Sequence, residues 1–209
     1  MASILKSTIA IAASAASVLA QCANVWLPGD GLRGVNGYVF ASTTWDPDGA
    51  GPAPLRAVVA GSFTVAGTAV ANGISAYDPI AATWSAFGSG VSSTLYSLAT
   101  LANGELVAGG FFSDIGGVAA NHIARWDGVA WHPLGTGLNH QVNCLARLPN
   151  GDLVAGGAFT MAGGVSANRI ARWDGSAWYP LGAGMNASIY ALEVLASGEL
   201  GPATLTELP

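Results

Sequence analysis

The sequence predicts an all-β chain of four-stranded propeller blades, an incomplete set of about three blades and one further strand. Two observations carry this prediction. The phrase "NHIARWDGVAWHPLG" at residues 121–135 returns as "NRIARWDGSAWYPLG" at 168–182, and residues 101–137 match 148–184 at 26 of 37 positions without a gap. Each period of about 47 residues breaks into four strand-like segments divided by turn signals, and no helical periodicity follows the first twenty residues.

In the third copy the segments are "VNCLARL", "DLVAGGAF", "NRIARWD" and "AWYPL", punctuated by Pro149-Asn150-Gly151, Gly163-Gly164 and Asp174-Gly175. The second segment is almost wholly apolar, as expected of a strand covered on both faces. The third alternates, with Ala171 and Trp173 on one side and Ile170 and Arg172 on the other. A weaker first copy occupies 57–90, where Tyr77 replaces the first tryptophan and two extra residues precede Trp84. Four strands per period describe a propeller blade, which needs a neighbour on either side to bury both faces. Trp126, Trp131, Trp173 and Trp178 are therefore expected to fill the wedge between blades. On that reading Trp173→Ala costs about 3–5 kcal/mol.

The resulting organisation is a lead-in at 21–35, blade 1 at 36–90, blade 2 at 91–137, blade 3 at 138–184, and the start of a truncated fourth blade at 185–209. Where the fourth copy should continue, the chain reads "GPATLTELP", as expected of a truncated or frame-shifted reading of a longer gene. Apolar faces near Val58 to Phe63 and Ile189 to Leu195 would then lack a covering blade and favour self-association.

Residues 1–20 read as a secretory signal: Lys6, an Ala/Ile/Val-rich run, then Val18-Leu19-Ala20 before Gln21. Export with cleavage after Ala20 follows. For Cys22, lipidation, pairing and a free thiol stay open, although Gln21 is unfavourable to lipidation. Beyond the signal there is no lysine, and six arginines face twelve acidic groups. Such an acidic, weakly charged chain lacks the electrostatic footprint for nucleic acid or anionic lipid, and no membrane span is expected. Cys144, inside "VNCLARL", is expected to be a buried unpaired residue.

A glycine doublet after an apolar strand, followed by Tyr77-Asp78-Pro79 and Trp84, resembles the Kelch motif; Gly109-Gly110 and Gly156-Gly157 supply the doublets. Copies two and three depart by using Trp-Asp-Gly and a shorter turn, and copy one has Ala60-Gly61. The whole phrase is similar to repeats of secreted bacterial propellers related to the Kelch and galactose-oxidase-like superfamily. That resemblance implies the fold and leaves ligand and activity open.

Candidate chemistry is sparse. His122, His132 and His140 align with Arg169, Tyr179 and Ala187, so no histidine cluster recurs and neither a metal site nor a cofactor is expected. Asp46-x-Asp48 begins like a calcium loop, but Ala57 stands where the closing glutamate belongs, so a turn is expected. Asp78, Asp127 and Asp174 precede Pro or Gly in every copy and read as turn residues. Arg125 and Arg172 align with Ala76 and are expected to snorkel or pair locally, while Glu105, Asp152 and Glu199 align in turns. No catalytic residues are assigned, and Asn186-Ala187-Ser188 is a glycosylation sequon. The expected function is a non-enzymatic binding or scaffolding module for an unidentified protein or glycan. Its variable positions are Phe111 against Ala158, Asp114 against Met161, and His132 against Tyr179. The alternative is part of a propeller enzyme or carbohydrate-binding propeller whose site lies in further blades.

Overall fold

Each repeat folds into a four-stranded antiparallel sheet, with a two-stranded ribbon inserted between its second and third strands. The computed structural model describes residues 34–49 and 51–201. The expected export signal, Cys22 and residues 202–209 lie outside them. Blade 1 contains β1 (Tyr38–Trp45), β2 (Arg56–Ser62), the ribbon β3 (Val65–Ala66) and β4 (Ala69–Val70), then β5 (Ile74–Asp78) and β6 (Thr83–Ala86). Blade 2 follows with β7 (Thr94–Thr100), β8 (Leu106–Phe111), β9 (Asp114–Ile115), β10 (Val118–Ala119), β11 (Ile123–Trp126) and β12 (Trp131–Pro133). Blade 3 has β13 (Val142–Arg147), β14 (Leu153–Gly157), β15 (Met161–Ala162), β16 (Val165–Ser166), β17 (Ile170–Trp173) and β18 (Trp178–Pro180). A fourth copy contributes the hairpin of β19 (Glu193–Val194) and β20 (Leu200–Gly201).

The apolar second strands sit at the middle of each sheet and are covered on both faces. In β8, Leu106 and Ala108 join one core with Val58, Ala60 and Ile74 of blade 1, while Val107 joins another with Val142, Leu153 and Phe159 of blade 3. The first strands are inner neighbours, with β7 between β1 and β13. Successive blades thus share their cores, as repeat architectures do.

The tryptophans occupy the shared wedge unequally. Trp131 and Trp178 are buried and donate their indole N–H groups to the carbonyls of Phe87 (3.1 Å) and Leu134 (3.0 Å), which lie in the links from the preceding blade. Trp126 is buried beside Trp131, with ring centroids 5.4 Å apart, whereas Trp173 is only half-buried. The large packing cost expected at Trp173 therefore belongs to Trp131 and Trp178. A second correction concerns blade 1. Val58 and Ala60 are buried in the core shared with blade 2, and Val59 and Phe63 are buried in a separate cluster with Ala66, Ala71, Val35, Val39 and Trp84. The face expected to stand open is covered.

Each glycine doublet answers two close approaches. A Cβ on Gly109 would meet Val142 Cγ1 of the next blade at 2.7 Å, so the first glycine lets the blades touch. A Cβ on Gly110 would lie 2.2 Å from the Thr94 carbonyl oxygen, and on Gly157 2.2 Å from that of Gln141. The cause is a register break in every inner strand, between Val39 and Ala41, Leu95 and Ser97, and Val142 and Cys144. The extra residue bends the strand and drives a carbonyl against its partner, and only a glycine there leaves room.

The recurring aspartates are turn residues. Oδ1 of Asp127 accepts N–H bonds from Val129 and Ala130 (both 2.8 Å), and Oδ1 of Asp174 from Ser176 (2.8 Å) and Ala177 (2.9 Å). Asp78 does the same for Ile80 and Ala81. These backbone donors hold the Asp127 and Asp174 carboxyls down at about 2, from an ordinary 3.8. Because the folded-state value is the lower one, their stabilising contribution is complete above the unfolded value and disappears as pH falls through the folded one. Thermal melts from neutral pH downward should hold level until roughly pH 4 and then decline toward pH 2. The double variant Asp127→Asn/Asp174→Asn should show a shallower decline. An identical acid limb in that variant would refute the assignment.

Candidate functional site

The bulge gives each blade a re-aimed side chain on its inner strand. Phe40, Tyr96 and Asn143 are the three bulge residues, and Tyr190 follows Asn143 by the same 47 positions that separate Asn143 from Tyr96. All four, with Gln141, line one pocket of about 340 Å³. Its wall is a run of aromatic rings followed by amides. Tyr38 stacks on Phe40 (centroids 6.3 Å) and Phe40 meets Tyr96 at 5.7 Å. Gln141 Nε2 donates to Asn143 Oδ1 (2.9 Å), and Asn143 Nδ2 donates to the Ile189 carbonyl (2.8 Å), tying blade 3 to the fourth copy. Uncharged rings beside amide donors and acceptors suit a ligand with both apolar faces and hydrogen-bonding edges.

A second set of positions lies at the junctions between blades. Gly73, His122 and Arg169 are equivalent and share a left-handed backbone (φ 73°, 65° and 67°). In each case the N–H reaches the preceding phenylalanine carbonyl while the carbonyl accepts from the second doublet glycine, as in His122 to Phe112 (2.9 Å) and Gly110 to His122 (3.0 Å). The conformation is therefore fixed by the blade, and holding it with His or Arg costs about 1–2 kcal/mol per residue. The side chains differ at each junction. His122 stacks on exposed Phe111 (5.6 Å) and lies 6.3 Å from His140, so the structure assembles a Phe–His–His group from residues remote in sequence. Burial, and then neighbouring His140, holds His122 below the usual imidazole range. Arg169 instead donates to the carbonyls of Ala158 (2.9 Å) and Phe159 (3.1 Å). Between blades 1 and 2, where Gly73 has no side chain, a cleft of about 670 Å³ remains.

The other candidates have structural partners. Arg125 pairs with Glu105, Arg172 pairs with Asp152, and Arg172 also lies 5.1 Å over the Tyr179 ring. His132 Nε2 lies 2.7 Å from Asp127 on the outer strand. Asp46 and Asp48 accept backbone bonds from Asp48 and Ala53 within their own loop. Cys144 is buried and, among the described residues, free, and burial pushes its thiol up to about 12. Asn186 is exposed. Among the described residues, no group of three or more His, Cys, Asp or Glu side chains could hold a metal ion. Of the variable pairs, Phe111 and Asp114 lie at blade junctions and His132 lies outside them. The bulge residues escaped the sequence reading, although the doublet facing them was its most visible motif.

Bulged inner strands, shared cores and tryptophan wedges recurring in successive four-stranded sheets define a β-propeller repeat protein. A family model described as "Domain of unknown function (DUF5122) beta-propeller" matches residues 101–126 and 148–173, from the turn before the second strand through the third strand of blades 2 and 3. No curated protein matches the chain.

Proposed function

We propose that this chain is an exported, Kelch-like, non-enzymatic binding module that holds a protein or glycan partner at the inner-strand pocket. The supporting observation is a contrast within the repeats. The frame recurs almost unchanged, with 26 of 37 positions identical between copies two and three, while the bulge position reads Phe40, Tyr96, Asn143 and Tyr190. A constant frame that presents a changing side chain to one pocket is suited to recognition. The carboxylates at Asp78, Asp127, Asp174, Glu105 and Asp152 are engaged in turns and ion pairs. Exposed Met185, Tyr190 and Leu195 in the fourth copy offer an apolar surface for self-association.

Glycan and peptide arrays probed with the mature chain test the reading. Retention of one ligand class by the wild type and its loss in Tyr96→Ala is the expected outcome. Tyr96 is half-buried at the pocket wall, so its melt should shift by no more than about 1 kcal/mol equivalent. Undiminished array binding by Tyr96→Ala would remove the pocket from the account.

A further inference from the structure

We infer that the cleft between blades 1 and 2 is a second binding site, distinct from the inner-strand pocket, for a small hydroxyl-bearing primary amine. Phe111, His122 and His140 occupy the junction after blade 2, and at the junction after blade 1 their equivalents are Ser62, Gly73 and Ser93. The same frame therefore has a side-chain plug at one junction and a cleft of about 670 Å³ at the other, within the size range of small-molecule sites.

The lining defines the ligand chemistry. Ser62, Ser92, Ser93 and Thr94 bring hydroxyls, Asn72 an amide and Asp114 a carboxylate. One Nδ2–H of Asn72 is donated to the Ser89 carbonyl (3.0 Å), which leaves its oxygen to accept and its second N–H to donate. Asp114 Oδ2 accepts from the hydroxyls of Ser92 and Ser113 (both 3.2 Å), and among the described residues it has no ion-pair partner. Its equivalents Val65 and Met161 carry no charge, so the carboxylate is particular to this cleft. Among the described residues, no lysine or arginine lines it. A half-buried anion among hydroxyls and an amide oxygen favours a ligand that supplies donors and one positive charge. A protonated amine would meet Asp114, and ligand hydroxyls would exchange bonds with the serines and Thr94.

The test is a chemical-shift titration of the isotope-labelled full chain with glucosamine and, in parallel, glucose at near-neutral pH. Glucosamine should shift the amides around Asn72, Ser93 and Asp114 and bind roughly tenfold tighter than glucose, a preference that added salt reduces. Asp114→Asn should erase the difference between the two sugars. The variant Ser62→Phe/Ser93→His, which transplants two of the three plug side chains from the next junction, should abolish both. Absence of shifts at the cleft, equal affinity for the two probes, or a preference that survives in Asp114→Asn would each overturn the inference. Array binding lost in Tyr96→Ala is read independently, so either site can fail without the other.

Discussion

Trp131→Ala is expected to destabilise the protein by about 3–5 kcal/mol, more than removal of any partly buried tryptophan. Three losses combine at this position. The indole is 3 % exposed, so its truncation opens a cavity in the core shared by blades 1 and 2. Its N–H bond to the Phe87 carbonyl is buried, and its loss leaves that carbonyl with the Gly90 N–H (3.2 Å) as its remaining donor. Its ring also packs on Trp126 and on Phe87, at centroid distances of 5.4 and 6.2 Å. Gly116 lies directly beneath, where a Cβ would meet the Trp131 ring at 2.5 Å, so the surrounding backbone is shaped to the indole and closes poorly over the gap. Trp173→Ala, at a half-buried site, should cost clearly less. Urea unfolding of the two variants beside the wild type makes the comparison. Equal midpoints for both would contradict the wedge assignment.

Gly110→Ala carries the second large effect, and its origin is geometric. The added methyl would sit 2.2 Å from the Thr94 oxygen and 2.9 Å from Leu95 Cα, both backbone atoms held by the sheet. No side-chain rotation relieves that contact, so the inner strand must move or the bulge must be lost. Overpacking typically costs about 1–3 kcal/mol, and a clash with backbone belongs at or above the top of that range. Gly117→Ala is the control for glycine replacement, since no atom lies within 4 Å of its added Cβ and only its φ of +80° opposes the change. A melt in which Gly110→Ala is no worse than Gly117→Ala would show that the bulge is not the reason for the glycine.

The parts of this fold that were legible in the sequence are those that local rules and repetition determine. The strands, the aspartate turns at Asp127 and Asp174, and the engagement of Arg125 and Arg172 with nearby acids all depend on neighbours within a blade. The repeat displays those neighbours twice. What could not be read depends on contacts between blades. Trp131 and Trp173 look alike in the sequence, yet of the two only Trp131 is fully buried and bonded to a carbonyl in the link from the preceding blade. His122 and His140 come together through the left-handed backbone at 122 and the approach of the next inner strand. The cover over Val59 and Phe63 comes from Trp84 together with Val35 and Val39, and the two valines belong to no recognisable motif. Tyr96 and Asn143 were inconspicuous because a bulge leaves no composition signal on its own strand. Its trace is the glycine across from it.

Gly110 leaves room for the bulge, and Tyr96 is what the bulge presents. Thermal melting and array binding measured side by side for Gly110→Ala and Tyr96→Ala separate these two roles. Opposite behaviour is expected: a markedly lowered melt for Gly110→Ala, and for Tyr96→Ala a near-wild-type melt with the bound ligand lost. A collapsed melt for Tyr96→Ala, or a stable Gly110→Ala, would contradict it.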